Sequence, residues 1–154
     1  MAEQTPEQAL TELLKTLRDA MGLDAEIAVA DDGEVVRGTL TGEDLGLFIG
    51  RHGQTIDAVQ HLAMRVVANA AGERRLVEVD AEGYRDRRAE ALHGQADSAA
   101  EEALRFARPV ALDAMSAPER KLVHEYLRDR GDVQTYSEGD EPQRHLVVAP
   151  LRSA

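Results

Sequence analysis

The chain contains no cysteine, which removes disulfides, thiol nucleophiles and Cys-rich zinc sites in one step. Any metal site would rest on His and carboxylates alone, and no metal or other cofactor is expected. Aromatic residues are scarce, three Tyr and two Phe in 154 positions, and none clusters on a strand as a base-stacking sheet requires. No apolar run approaches the ~18 residues of a spanning helix, so insertion into a membrane is not expected. The N-terminus carries Glu3, Glu7 and Glu12 where a secretory signal would be basic. The expectation is a soluble, cytoplasmic protein whose 43% hydrophobic content can build one ordinary core or two small ones.

An excess of positive charge is also missing. The net charge of −11 speaks against nucleic acid at first sight, because phosphate binding usually shows as a basic excess. The distribution weakens that objection. Residues 1–43 hold ten acidic and three basic side chains, whereas from Asp44 onward nineteen acidic residues face fifteen basic ones. Local basic faces can exist in that second stretch.

The chain presents a clear succession of elements. Thr5, Pro6 and Gln8 form a cap with Pro at the first helical position, and Leu10, Leu13, Leu14, Leu17 and Met21 then recur at helical spacing up to Gly22. The runs AEIAVA and EVVRGTL flank Asp31-Asp32-Gly33, a hairpin signal. A short apolar segment, Asp44 to Ile49, leads into a turn between Gly50 and Gly53. After it Ile56, Val59, Ala63, Val66, Val67 and Ala70 share one helical face, and Gly72 stops that helix before the strand RLVEVD. Residues 1–82 thus read as one closed unit.

Residues 83–154 read as a second unit, opened by a long helix over 83–107 with Gly94 as a weak point and Pro109 beyond its end. VALDAM alternates as a strand. Ser116 to Glu119 is a capping box that starts a helix running to Gly131. VQTYS and RHLVVA flank the turn EGDEP and predict a hairpin.

Two places carry chemistry. The first is the turn Gly50-Arg51-His52-Gly53. Glycines permit positive φ and close backbone approach, the helix that follows offers unpaired N–H groups and a positive dipole end, and Arg51 can add a charge-assisted bond to a phosphate. A tight corner without a ligand would use the same glycines. The element order and the sequence IGRHG, followed by an amphipathic helix, resemble a KH domain of the bacterial type over about residues 6–80. That resemblance implies a loop, Gly50 to Gly53, that clamps the backbone of about four single-stranded nucleotides. It also implies an adjoining hydrophobic groove, with Ile49 and Ile56 among its residues, that holds unstacked bases.

The second place is the helix SAPERKLVHEYLRDRG. There Leu122, Val123, Tyr126 and Leu127 fall together, while Arg120, His124 and Arg128 step along another face at i, i+4 and i+8 with Lys121 beside them. The solvated side of an amphipathic helix would look the same. Together with VQTYSEGDEPQRHLVVAP, however, the stretch from Met115 to Pro150 resembles an R-three-H domain, named for its Arg-x-x-x-His signature and associated with single-stranded nucleic acid. Arg120 and His124 occupy the signature positions, and Arg144 and His145 sit on the neighbouring hairpin.

A KH domain joined through GYRDRR to an R-three-H domain is the arrangement of the Jag family, also called KhpB or SpoIIIJ-associated proteins. Many members begin with a further Jag N-terminal domain and a linker, neither of which is expected here. The resemblance implies an α+β fold in two small domains: a type II KH domain, with a three-stranded sheet packed on helices, and an R-three-H domain with a small antiparallel sheet packed on helices. It further implies binding of single-stranded RNA, with single-stranded DNA as the other candidate. A smaller single-domain KH protein as partner and a global RNA-binding or RNA-chaperone role linked to the cell envelope and cell shape follow from it as well. A KH scaffold that has become a protein-interaction module in cell-envelope or cell-shape regulation is the alternative, favoured by the acidic N-terminal third and opposed by the basic turn. No enzyme motif stands out: His93 with Asp97 reads as a surface pair on the long helix, and His61 as a partly exposed side chain.

Overall fold

The computed structural model describes residues 3–152. By its contacts the chain divides between Arg85 and Asp86 into two compact units.

The first unit runs helix, two strands, two helices, strand. Helix α1 (Pro6–Ala20) starts on a complete capping box, in which Thr5 accepts from the Gln8 N–H and the Gln8 side chain accepts from the Thr5 N–H. Strands β1 (Glu26–Asp31) and β2 (Val35–Thr41) form the expected antiparallel hairpin, with Ile27 opposite Leu40 and Val29 opposite Gly38. Its turn is held by Asp32, whose carboxylate accepts from the Val35 and Glu34 N–H groups and from Arg37, and these bonds depress its pKa to about 2.

Helices α2 (Gly46–Ile49) and α3 (Gln54–Ala71) then carry the chain across to β3 (Leu76–Ala81), which pairs parallel with β2. A parallel partner requires a crossover of a dozen or more residues, and α2 and α3 supply it. Strand order is β1-β2-β3. One sheet face is covered: Leu10 and Leu14 of α1, Ile56, Ala63 and Val67 of α3, and Val36, Leu40 and Val79 of the sheet all have 0% exposure. Gly38 lets α1 sit this close, since a Cβ there would lie 2.5 Å from Leu14 Cδ1.

The second unit is built on helix α4 (Tyr84–Phe106), whose buried face is Leu92, Ala96, Ala99, Ala100 and Ala103. Helix α5 (Ala117–Arg128) again begins on a full capping box, Ser116 with Glu119. The sheet has the order β4-β6-β5, with β4 Val110–Ala111, β5 Val133–Glu138 and β6 His145–Pro150, all antiparallel. Leu92, Ala96 and Ala100 pack in one cluster with Val123 and Leu127 of α5 and with Leu146 and Val148 of β6.

Both units match the expected α+β architecture. The strand expected over 110–115 is much shorter, because after Ala111 the chain keeps only spaced bonds to the other side, Leu112 N–H to Leu146 O and Met115 N–H to Arg144 O, while Met115 turns into the core.

Candidate nucleic-acid interface

The turn between α2 and α3 is set by its glycines. Gly50 has φ 74° and ψ 175°, a region open essentially to glycine alone. A Cβ there would overlap the Thr55 hydroxyl and lie 2.8 Å from the Thr55 backbone N. His52 follows in the left-handed region at φ 55°, and Gly53 at φ 79° caps α3 with no side-chain acceptor. The effect is to hold Arg51 and His52 out in solvent directly above the first turn of α3, where N–H groups are not taken up by a capping side chain. The Asp57 carboxylate of that turn is turned aside and accepts from Arg85 at 2.6 Å.

Gly53 itself is buried, and a Cβ on it would lie 2.6 Å from the Tyr84 hydroxyl oxygen. The first residues of α4 therefore prop the turn from below. Arg85 extends this support, since it donates to Asp57 and Gln60 of α3 and to the Val79 carbonyl of β3, while Gln60 accepts from the Val79 N–H. Neither Tyr84 nor Arg85 carried a sequence signal for such a role, because their partners in the turn and in α3 lie more than twenty residues away. Of the two apolar residues expected beside the loop, Ile49 is half-buried, whereas Ile56 has 0% exposure and belongs to the core. Ile49 is thus the one of the pair with surface to offer a ligand.

In the second unit Arg120, His124 and Arg128 do not form one solvent-exposed stripe. Arg120 is 9% exposed. Its guanidinium donates to the Met115 carbonyl at 2.7 Å and to Glu141 at 2.8 Å, pinning the start of α5 to the β5–β6 loop. A guanidinium carries five donors and must find acceptors when buried, which is the physical reason it turns inward. His124 is exposed, and its Nδ1 is hydrogen-bonded to the Thr135 hydroxyl on β5. Arg128 is exposed one turn further on.

Arg144 donates to the Gly139 carbonyl at 2.6 Å, shaping the same loop that receives Arg120. Arg120, Lys121, His124, Thr135, Ser137 and Arg144 line a shallow depression between α5 and the hairpin. Both signature positions and Arg144 of the hairpin are therefore brought together, Lys121 joins them at the rim, and Arg128 is not among the lining residues. Thr135 and Ser137 were not foreseen, although strand alternation places them with Val133 on the α5-facing side.

His93 and Asp97 also prove to be more than a surface pair. The His93 ring stacks on Tyr126 with centroids 4.0 Å apart, and the Tyr126 hydroxyl donates to Asp97 at 2.8 Å, so both tie α4 to α5. Among the described residues no group of three or more His, Asp or Glu could hold a metal ion, and no helix is long and apolar enough to cross a membrane.

The buried position of Arg120 makes a stability prediction. Arg120→Ala should destabilise the second unit by about 2 kcal/mol, the scale of a lost hydrogen bond to a charged group. The bond to the enclosed Met115 carbonyl dominates, because Glu141 is largely exposed and its ion pair contributes little. Lys121→Ala, one residue away and exposed, should be neutral. Urea unfolding of the full chain reads the difference, and equal midpoints for both variants would remove the bolt role from Arg120.

Geometry of this kind defines a class: a type II KH unit followed by an R-three-H unit, each with a cationic surface feature formed around a turn or hairpin. Comparison with known proteins gives the same division, with residues 7–79 matching the KH domain of KhpA/KhpB and residues 90–150 the R-three-H domain. The RNA-binding protein KhpB of Clostridium symbiosum is 34% identical over 152 residues, covering 97% of this chain and 68% of that protein. KhpB of Bacillus subtilis is 33% identical over 141 residues, covering 90% and 68% respectively. For the Streptococcus pneumoniae protein the figures are 32% over 145 residues, 92% of this chain and 44% of the relative. The chain belongs to the KhpB (Jag) family, a family of RNA-binding proteins and not of enzymes.

Proposed function

We infer that this protein binds single-stranded RNA, clamping the phosphodiester backbone at the Gly50–Gly53 turn and contacting it again at the depression formed by Lys121, His124 and Arg144. The observation that carries the reading is the turn: an exposed arginine and an exposed histidine held by glycine-only backbone over an uncapped helix start. Such an arrangement addresses phosphates and not base edges, so it discriminates weakly between sequences. That suits a factor acting on many RNAs, including an RNA chaperone, in the cytoplasm. The relatives' printed name, RNA-binding protein, supports the same reading. A smaller single-domain KH protein as protein partner belongs to this proposal through the KH resemblance.

The test is a titration of the full chain with an unstructured RNA of about 14 nucleotides, a duplex of the same length and the corresponding single-stranded DNA, at several salt concentrations. Single strands should bind better than the duplex. The logarithm of affinity should fall with the logarithm of salt by about 0.7 per phosphate contacted. Absence of binding to single strands at low salt would overturn the reading in favour of a protein-interaction module.

A further inference from the structure

Of the three Tyr and two Phe in the chain, all but Tyr136 are engaged within the fold. Phe48 has 0% exposure in the core of the first unit, and Tyr84 props Gly53. Tyr126 stacks on His93 and bonds Asp97. The Phe106 ring lies under the guanidiniums of Arg105 and Arg108, 5.4 and 5.6 Å from its centroid. Tyr136 remains. It is 45% exposed on β5, and among the described residues its ring meets no other ring or cation and its hydroxyl makes no hydrogen bond.

Its surroundings favour a ligand. Tyr136 lines the depression between α5 and the hairpin together with Lys121, His124, Thr135, Ser137 and Arg144, and no carboxylate is in that lining. In a chain of net charge −11, a lining with cations and no anion selects an anionic occupant. Its volume of about 450 Å³ suits a unit the size of one small ligand. Thr135 and Ser137 face α5, whereas alternation turns Tyr136 to the other side of β5. That strand is the free edge of its sheet, paired with β6 alone. A chain crossing the edge therefore meets the cations on one side and the ring on the other. The distance is short, since Tyr136 follows Thr135, the hydrogen-bond partner of His124, by about 3.4 Å of strand. Directly opposite Tyr136 stands Val147 of β6, 3% exposed, and a pair in that register is within side-chain contact. The ring thus rests against the sheet over Val147 and leaves its remaining surface to solvent.

We propose that Tyr136 stacks one base of the bound single-stranded RNA while Lys121, His124 and Arg144 hold the adjoining phosphate. This rests on the reading of the depression as a backbone contact, and adds a base contact to it. An aromatic face accepts any base, so the ring contributes affinity with little sequence preference, in keeping with a phosphate-directed binder. A docked protein would want an apolar centre, whereas Leu146, the large aliphatic residue of the lining, has 2% exposure.

The experiment compares wild type with Tyr136→Phe, Tyr136→Ile and Lys121→Gln, each as the full chain, on an oligouridine at several salt concentrations. Tyr136→Ile keeps an apolar, β-branched cover over Val147 and removes the aromatic face, and equal melting temperatures confirm the fold. Tyr136→Phe should bind like wild type. Tyr136→Ile should bind about tenfold more weakly, within the range for one stacked base, with its salt slope unchanged. Lys121→Gln should instead make the slope shallower by about 0.7, the contribution of one phosphate. A second readout needs no variant: a stacked ring crosslinks to iodouridine on irradiation, and mass spectrometry of wild type bound to such an oligomer should find the adduct on Tyr136. Equal affinities for Tyr136→Ile and Tyr136→Phe, or a bound complex with no adduct on Tyr136, overturns the proposal. If Lys121→Gln still flattens the slope in that case, the backbone contact stands and Tyr136 serves only as the cover of Val147. If Lys121→Gln and Tyr136→Ile both leave binding unchanged, the depression is not an RNA site and both readings fall.

Discussion

Arg51→Asp/His52→Asp should weaken binding of the full chain to an unstructured RNA by about a hundredfold while leaving its unfolding transition in place. A charge-assisted hydrogen bond is worth about 1.5–3 kcal/mol, and reversing the charge adds repulsion from the same phosphate. About 3 kcal/mol in total corresponds to two decades of affinity. The stability side of the claim follows from exposure, since both side chains stand in solvent and neither packs in the core. Fluorescence anisotropy gives the affinity and a thermal melt gives the fold. A folded double variant with wild-type affinity would leave the turn as a ligand-free corner, and the second unit would then have to account for any RNA binding.

Gly50→Ala should lower the stability of the first unit by about 3 kcal/mol. Part of this is the backbone, because φ 74° with ψ 175° costs a residue bearing Cβ about 1–3 kcal/mol. The rest is overlap with Thr55, whose backbone N would lie 2.8 Å from the new carbon, within a helix start that cannot retreat without moving α3. Gly72 is the control. It also has positive φ, at 72°, but a Cβ there meets nothing within 4 Å, so Gly72→Ala should cost only about 1–2 kcal/mol for the left-handed conformation. Denaturant unfolding of the two variants side by side decides the matter, and equal losses would show that Thr55 does not crowd the turn. Gly50→Ala should also reduce RNA affinity, as the turn that presents Arg51 and His52 relaxes.

Much of the fold was legible because it is written at short range. The caps at Thr5 and Ser116, the hairpin at Asp32-Gly33 and the helix stop at Gly72 each need only a few neighbouring residues, and all stand where the pattern put them. The buried face of α3 followed from a period of 3.6. The geometry of the turn was legible for the same reason: two glycines around an arginine and a histidine, between helices, allow few conformations. Less was legible on α5. Helical spacing aligns Arg120, His124 and Arg128, yet spacing says nothing of what lies opposite, and Glu141 and the Met115 carbonyl draw Arg120 inward from positions 21 and 5 residues away.

The amino-acid sequence by itself determined most of the secondary elements, their order and the basic turn, since these depend on backbone preferences and on periodic burial over one or two turns. Tertiary structure alone decided which cations are spent within the fold and which stand without a carboxylate partner among the described residues. Arg85 and Arg120 became internal ties, Tyr84 became the prop beneath Gly53, and Arg51, Arg65 and Arg74 were left without carboxylate partners among the described residues. The physical reason is that an ion pair or a buried donor is settled by distance and desolvation between groups remote in sequence, and no local pattern encodes that distance.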